Sequence, residues 1–383
     1  MSKATIIILT HLTVLIMKME RIFHPIGHGA FYTERFYENG NDDPLFAAVY
    51  DCGSFSYGQL KDIIDTTFKE GDKINLLFIS HFHFDHISMV QHLKSRCDID
   101  YIIVPVLSLS TLVESLIHYA IIGKGSSLTN ITGILDDIYN RKDDRIIIID
   151  KAEGTDLNAI DIDHLPDELN DNAERILTNI IFCYKNWRYI PFVHIDNKAD
   201  ALLRKVQTDS HFNGIDWNNI DINVLFDTIK NIDIEVLKDL YASVYKDEHN
   251  SYSMPVYSGL DCKPQCHKGC HKQCEFVAFC HINCLYMGDY DAKSRTNYDN
   301  LKDYFKNYWD RIGLIQVPHH GSEHNSDNKL YEPNKLCIIS SGRNDRYDHP
   351  DQATIDAIMK AGSIHMIVTE EKKTKQLFKY QLK

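Results

Sequence analysis

The chain has 383 residues, 44 % hydrophobic and 25 % charged, which is a globular composition and excludes a disordered or collagen-like polymer. Lysine and arginine number 41 against 54 acidic residues, and the resulting net charge of −13 excludes a broad basic surface that grips long nucleic acid. A local basic groove or bound cations would still take a phosphate.

Taken in chain order, the opening "MSKATIIILTHLTVLIM" carries a single lysine, no small-residue cleavage site and an apolar run too short for a bilayer. It reads as an extra strand, a surface anchor or an early start, so residues 1–20 are an N-terminal extension and no membrane association is expected. Strands are predicted at "RIFHPI", "LFAAVYD", "INLLFIS", "YIIVPV" and "RIIIID", and later at "IIFCYKNWRYIPFVHI", "YSMPVY", "FVAFCHINCLYM", "LIQVP", "KLCIISS" and "IHMIVT". Helices are predicted at "SYGQLKDIIDTTFKEG", "HISMVQHLKSR", "LSTLVESLIHYAI" and "DQATIDAIMKAG". This mixed succession favours sheets covered by helices, an α/β class. The polar, helix-prone stretch 107–248 reads as an insertion or lid on one elaborated domain spanning 21–383, and the basic "KKTKQLFKYQLK" at the end reads as a solvated tail.

The chemistry begins after "INLLFIS", where "HFHFDH" places His81, His83, Asp85 and His86 on one strand-to-helix loop. His81 and His83 alternate to one side and Asp85 and His86 turn to the other, so one loop can serve two adjacent cations with ligands that Zn²⁺ accepts. A solvated loop with Asp85 as a helix cap is the plainer alternative.

This His-x-His-x-Asp-His pattern resembles the signature of the metallo-β-lactamase superfamily. The resemblance implies a four-layer αββα sandwich carrying the helical insertion, and Asp51 and Gly53 of "FAAVYDCGS" correspond to a supporting Asp-x-Gly. It makes Asp289 of "CLYMGDYD" the carboxylate shared by two metals, and nominates His249 of "EHNSYSMPVY" as the third histidine, with His194 of "PFVHID" as competitor. "VPHHGSEHNS" followed by "SGRNDRYDHP" is similar to the lactamase-like domain of ComEC DNA-uptake proteins and to teichoic-acid phosphorylcholine esterases, over roughly residues 21–105 and 249–370. By that likeness His320 completes the second metal and His319 serves substrate or proton transfer, or the two exchange roles. His349 faces the same cleft as a general acid or phosphate contact, and Ser322 orients a neighbour or caps a turn. The presence of His249 departs from the ComEC pattern, and so does the lack of a surrounding channel.

Six of the 10 cysteines fall between Cys262 and Cys284. In the cytoplasmic, reducing location expected here, Cys262, Cys266, Cys270 and Cys274 form a hairpin over 262–274 that could hold a structural zinc; a disulfide-stapled loop or free thiols are the alternatives. Cys280 and Cys284 fit a strand core.

The implied cofactor is a pair of Zn²⁺ ions, with Mn²⁺ the substitute, and a hydroxide held between them as nucleophile. Asp85, His319 and His349 are the expected catalytic residues and His81, His83, Asp85, His86, His249, Asp289 and His320 the expected ligands. The function read from this is a phosphodiesterase or nuclease, with nucleic acid among its substrates. A phosphocholine-type esterase and a partner-binding signalling module with little turnover are the alternatives. Related proteins occur in bacterial defence operons, and the insertion would suit a protein partner.

Overall fold

The computed structural model describes residues 17–122, 128–165, 169, 175–194, 198–245, 253–261, 281–343 and 348–382. Its strands form two eight-stranded sheets. The first contains β1 (Met17–Phe23), β2 (Gly29–Glu38), β3 (Phe46–Ser54), β4 (Lys73–Phe78), β5 (Asp98–Pro105), β6 (Ile146–Ile149), β8 (Ile176–Leu177) and β16 (Gln376–Leu382). Their order is β16-β1-β2-β3-β4-β5-β6-β8. The second runs from β15 (Ile364–Val368) through β14 (Leu336–Ser340), β13 (Leu314–Gln316), β12 (Cys284–Tyr286), β11 (Val256–Leu260), β10 (Trp187–Pro191) and β9 (Ile180–Tyr184) to β7 (Asn158–Asp161). In each sheet a parallel run, β3 through β6 to β8 in one and β12 to β15 in the other, adjoins antiparallel strands, and the edge strand β7 of the second sheet pairs parallel with β9.

Side-chain alternation along these strands builds the layers. Leu76 and Phe78 of β4 point between the sheets, where they join Tyr32, Tyr50, Phe182, Val256, Tyr286 and Ile338. Leu77 of the same strand, and Ile79 just after it, point outward beneath α1 (Tyr57–Thr67), α3 (Val90–Arg96), α4 (Leu109–Ile122), α5 (Leu128–Tyr139), α6 (Lys198–Thr208), α7 (Ile222–Lys230) and α8 (Ile234–Tyr245). On the far side, Leu285, Ile315 and Ile339 of the second sheet pack under α9 (Arg295–Tyr304) and α10 (Gln352–Lys360). The result is helix, sheet, sheet, helix, the four-layer arrangement expected. "RIIIID" is apolar without alternation because β6 is covered on both faces.

Two differences from the sequence reading have clear causes. The stretch 107–248 is not all lid: β6 to β10 lie within it and complete both sheets, while α4 to α8 form the helical layer. The C-terminal segment is a strand rather than a solvated tail, pairing with β1 from Met17↔Leu382 to Phe23↔Gln376. Phe378, Tyr380 and Leu382 turn onto the core between the sheets while Leu377, Lys379 and Gln381 face water. That core also holds a polar knot: Arg21 Nε lies 2.7 Å from Glu34 Oε1, and Glu34 accepts from Tyr189, Ser258 and Tyr286. Among the described residues no helix is long and apolar enough to cross a membrane.

Candidate metal centre

The parallel strands deliver their carboxyl ends to one rim of the sandwich, the place where open α/β sheets gather functional groups. Beyond β4 the chain passes through Ser80 and His81 into the one-turn helix α2 (Phe84–Ile87), with His83 at its N-cap. This loop sits directly on β3, and only glycine fits at Gly53: a Cβ there would come within 2.5 Å of the Asp85 and His86 backbones. Beyond β12, Gly288 adopts φ +53 and its missing Cβ would strike Ser80 Cβ at 2.7 Å. Gln316 Oε1 accepts from the N–H groups of Met287 and Gly288, Ser253 Oγ accepts from the Asp289 N–H, and the His319 N–H donates to the Gly288 carbonyl. Asp51, His319 and His320 occupy the left-handed region at φ 56, 47 and 54. Such conformations cost roughly 1–3 kcal/mol each and persist where the surroundings fix them.

Two buried sets of ligand atoms result, each with its members within 4.8 Å of one another: His81, His83 and Asp289, and Asp85, His86, Asp289 and His320. Asp289 belongs to both. Residues separated by more than two hundred positions in sequence thus meet at one carboxylate.

The hydrogen bonds around the rings fix which nitrogen faces the centre. Ser80 Oγ donates to Asp51 Oδ2 at 2.7 Å and therefore accepts from His81 Nδ1 at 3.0 Å. Asp51 Oδ2 also takes the His86 Nδ1–H at 2.8 Å, and the Ser340 carbonyl takes the His320 Nδ1–H at 2.9 Å. Each acceptor leaves an Nε2 lone pair aimed inward. There the His320 Nε2 lies 3.0 Å from Asp85 Oδ2, and the His86 Nε2 lies 3.2 Å from Asp289 Oδ1. The Nε2 atoms of His81 and His86 are buried without a hydrogen bond among the described residues. Lone pairs directed at carboxylate oxygens repel unless a proton or a cation lies between them, so the donor set fits a divalent ion bound by imidazole and carboxylate.

Electrostatics agree. Burial would push Asp85 and Asp289 upward, yet the surrounding imidazoles, His86 foremost, hold both well below the usual carboxylate range. Burial would push His86 down, but Asp289, Asp85 and Asp51 hold it well above the ordinary histidine value, the sign of a pocket that calls for positive charge. His81, dominated by burial and the neighbouring His86, is pushed down to about 3.

The other expected residues fall as follows. His319 stands at the mouth, with Nδ1 2.6 Å from Asn325 Oδ1 and Nε2 3.9 Å from Asp289 Oδ2. His349 is 5.7 Å from it, ring to ring, with Nδ1 3.6 Å from Asp351 Oδ2. Ser322 Oγ accepts from the His324 N–H, a turn contact. His194 lies in neither ligand set and stacks beside Phe192. His249 lies outside the described residues, although Ser253, four positions later, sits 3.5 Å from His81 Nδ1. Cys262, Cys266, Cys270 and Cys274 also lie outside the described residues, whereas Cys284 is a buried thiol of β12.

Two contributors had escaped the sequence reading. Glu114 of α4 is 3.3 Å from His83 Nε2 and accepts the Tyr241 hydroxyl at 2.6 Å. Burial raises its carboxyl, but His83 and His118 bring it down to about 2. A carboxylate among Leu112, Val113, Leu116 and Ile117 was the available signal. His28, on the turn between β1 and β2, places Nε2 3.2 Å from Asp85 Oδ2 and its ring 3.9 Å from that of His320. Nothing in its spacing marked it.

Residues 43–168 match the model of the metallo-beta-lactamase superfamily. This segment is therefore similar to a metallo-beta-lactamase superfamily domain, and the His/Asp clusters beside it fit the metal-dependent hydrolases of that superfamily. Among solved structures, a HARLDQ-motif mutant of the metallo-beta-lactamase from Cronobacter sakazakii (Enterobacter sakazakii) aligns at 11% identity and a TM-score of 0.27, covering 77% of this chain and 75% of that one. No curated protein matches the chain.

Proposed function

We propose that the protein is a hydrolase dependent on two divalent cations, Zn²⁺ or Mn²⁺, that cleaves phosphodiester bonds in small or single-stranded substrates. The observation that carries this reading is the membership of Asp289 in both ligand sets. His81, His83 and Asp289 would hold one ion and Asp85, His86, Asp289 and His320 the other. When bound, such a pair supplies Lewis acidity and an activated water, and it suits a reacting centre with two neighbouring anionic oxygens. The resemblance of the His319–Ser322 loop to those of ComEC-type lactamase-like domains and phosphorylcholine esterases supports that substrate class, and the net charge of −13 supports short over long nucleic acids.

The chain's own groups then divide the remaining work. Asn325 fixes the His319 ring by its Nδ1–H, so Nε2 is the atom that meets substrate or exchanges a proton with it. His349, with Nδ1 3.6 Å from Asp351 Oδ2 and its ring 5.7 Å from that of His319, would protonate the departing oxygen. Ser322, turned to the His324 N–H and hydrogen-bonded to no base among the described residues, orients the turn rather than attacking the substrate.

The test is a panel of bis-p-nitrophenyl phosphate, short single-stranded DNA and a phosphocholine ester with metal-replete protein, each beside Asp85→Ala and His86→Ala. Turnover of the diester or DNA that both substitutions abolish is expected. Turnover of the phosphocholine ester alone would shift the reading to a headgroup esterase, and none at all would leave a partner-binding module.

A further inference from the structure

The two ligand sets differ in where one ring is supported: His81 of the first set and the rings of the second lean on the strands, and His83 does not. The rings of the second set are oriented by strand groups: His86 by Asp51 of β3 and His320 by the Ser340 carbonyl of β14. His83 of the first set is held instead by the helical layer. Its Nε2–H meets Glu114 Oε1 at 3.3 Å, and its ring stacks on His118 of α4 with centroids 3.8 Å apart and planes 22° apart. Glu114 is itself seated by the hydroxyl of Tyr241, on α8, at 2.6 Å. Tyr241 lies beyond the 43–168 segment that matches the superfamily.

A buried carboxylate is costly unless donors satisfy it, and this one meets His83 on one side and Tyr241 on the other. A carboxylate behind an imidazole fixes its tautomer and orientation and raises its basicity as a ligand. With Nε2 committed to Glu114, the His83 nitrogen left for a cation is Nδ1. The stacked His118 restricts rotation of that ring.

We infer that Glu114, seated by Tyr241, is a positioning residue for the first ligand set alone, so that the helical insertion controls one of the two cations. The inference rests on the two-cation reading above. Its structural content is a chain of contacts, α8 to α4 to His83, that the second set lacks.

The experiment is a Co²⁺ titration of the chelator-stripped full chain, comparing wild type with Glu114→Gln and Tyr241→Phe and following thermal midpoints of the metal-free proteins alongside. Glu114→Gln should weaken one ion about 10–100-fold while the other keeps its wild-type affinity, and Tyr241→Phe should weaken the same ion less. Equal weakening of both ions, or no change in either, overturns the inference. Should Glu114→Gln fail to fold, Tyr241→Phe decides by the same criterion, because it removes only a hydroxyl. A wild type that never takes two ions in the centre would instead sink the reading on which the inference stands.

Discussion

The Nδ1 of His86 stands 2.8 Å from Oδ2 of Asp51, and the same oxygen accepts the Ser80 hydroxyl at 2.7 Å. One carboxylate thereby sets the tautomers of His86 directly and of His81 through Ser80. Asp51→Asn keeps the shape but replaces a charged acceptor by an amide. Metal affinity is expected to fall about 10–100-fold in a competitive titration, with little loss of fold. Unchanged affinity would remove Asp51 from the account.

His28 and His320 both direct Nε2 at Asp85 Oδ2, at 3.2 and 3.0 Å, but His28 is in neither ligand set. His28→Ala is expected to leave the metal content intact while lowering kcat by about tenfold or more, the size of a lost supporting contact. Loss of an ion from this variant would make His28 a ligand.

Arg21 and Glu34 form a buried pair whose side chains are 0% and 3% exposed. Removing one partner strands the other's charge, so Glu34→Gln should cost about 3–5 kcal/mol in urea unfolding, whereas an apolar replacement of both should cost less. A loss under about 1 kcal/mol, typical of an exposed pair, would contradict this.

His24 is wholly buried and bonds Thr33 Oγ1 at 2.9 Å, and burial pushes its imidazole well below 6.5. A histidine lowered by folding binds its proton more readily when unfolded, so its stability contribution is full above the unfolded value and is lost as pH falls below about 6.5. Unfolding free energy between pH 6.5 and 5 should therefore fall less steeply in His24→Gln than in wild type, by up to about 1.4 kcal/mol per pH unit. Identical slopes would contradict the assignment.

How far the sequence could lead is visible in particular residues. The loop from His81 to His86 was legible because local spacing behind an apolar strand carries it, and Asp289 and His320 were named only through the resemblance of their strand-end motifs to a known family. β16 was misread because Lys372, Lys373 and Lys375 just before it colour the whole segment basic, while alternating Phe378, Tyr380 and Leu382 turn to the core. Glu114 and His28 were invisible because their roles exist only across the fold, 31 residues from His83 in one case and on an unremarkable turn in the other. Tyr241 adds the same lesson at 127 residues from Glu114.

The central claim is that two cations share Asp289. X-ray absorption at the zinc edge of the loaded protein tests it directly. A metal–metal distance of about 3.5–4 Å, absent from Asp289→Ala, is the expected result. A spectrum from loaded wild type with no second metal inside that range would contradict the binuclear site.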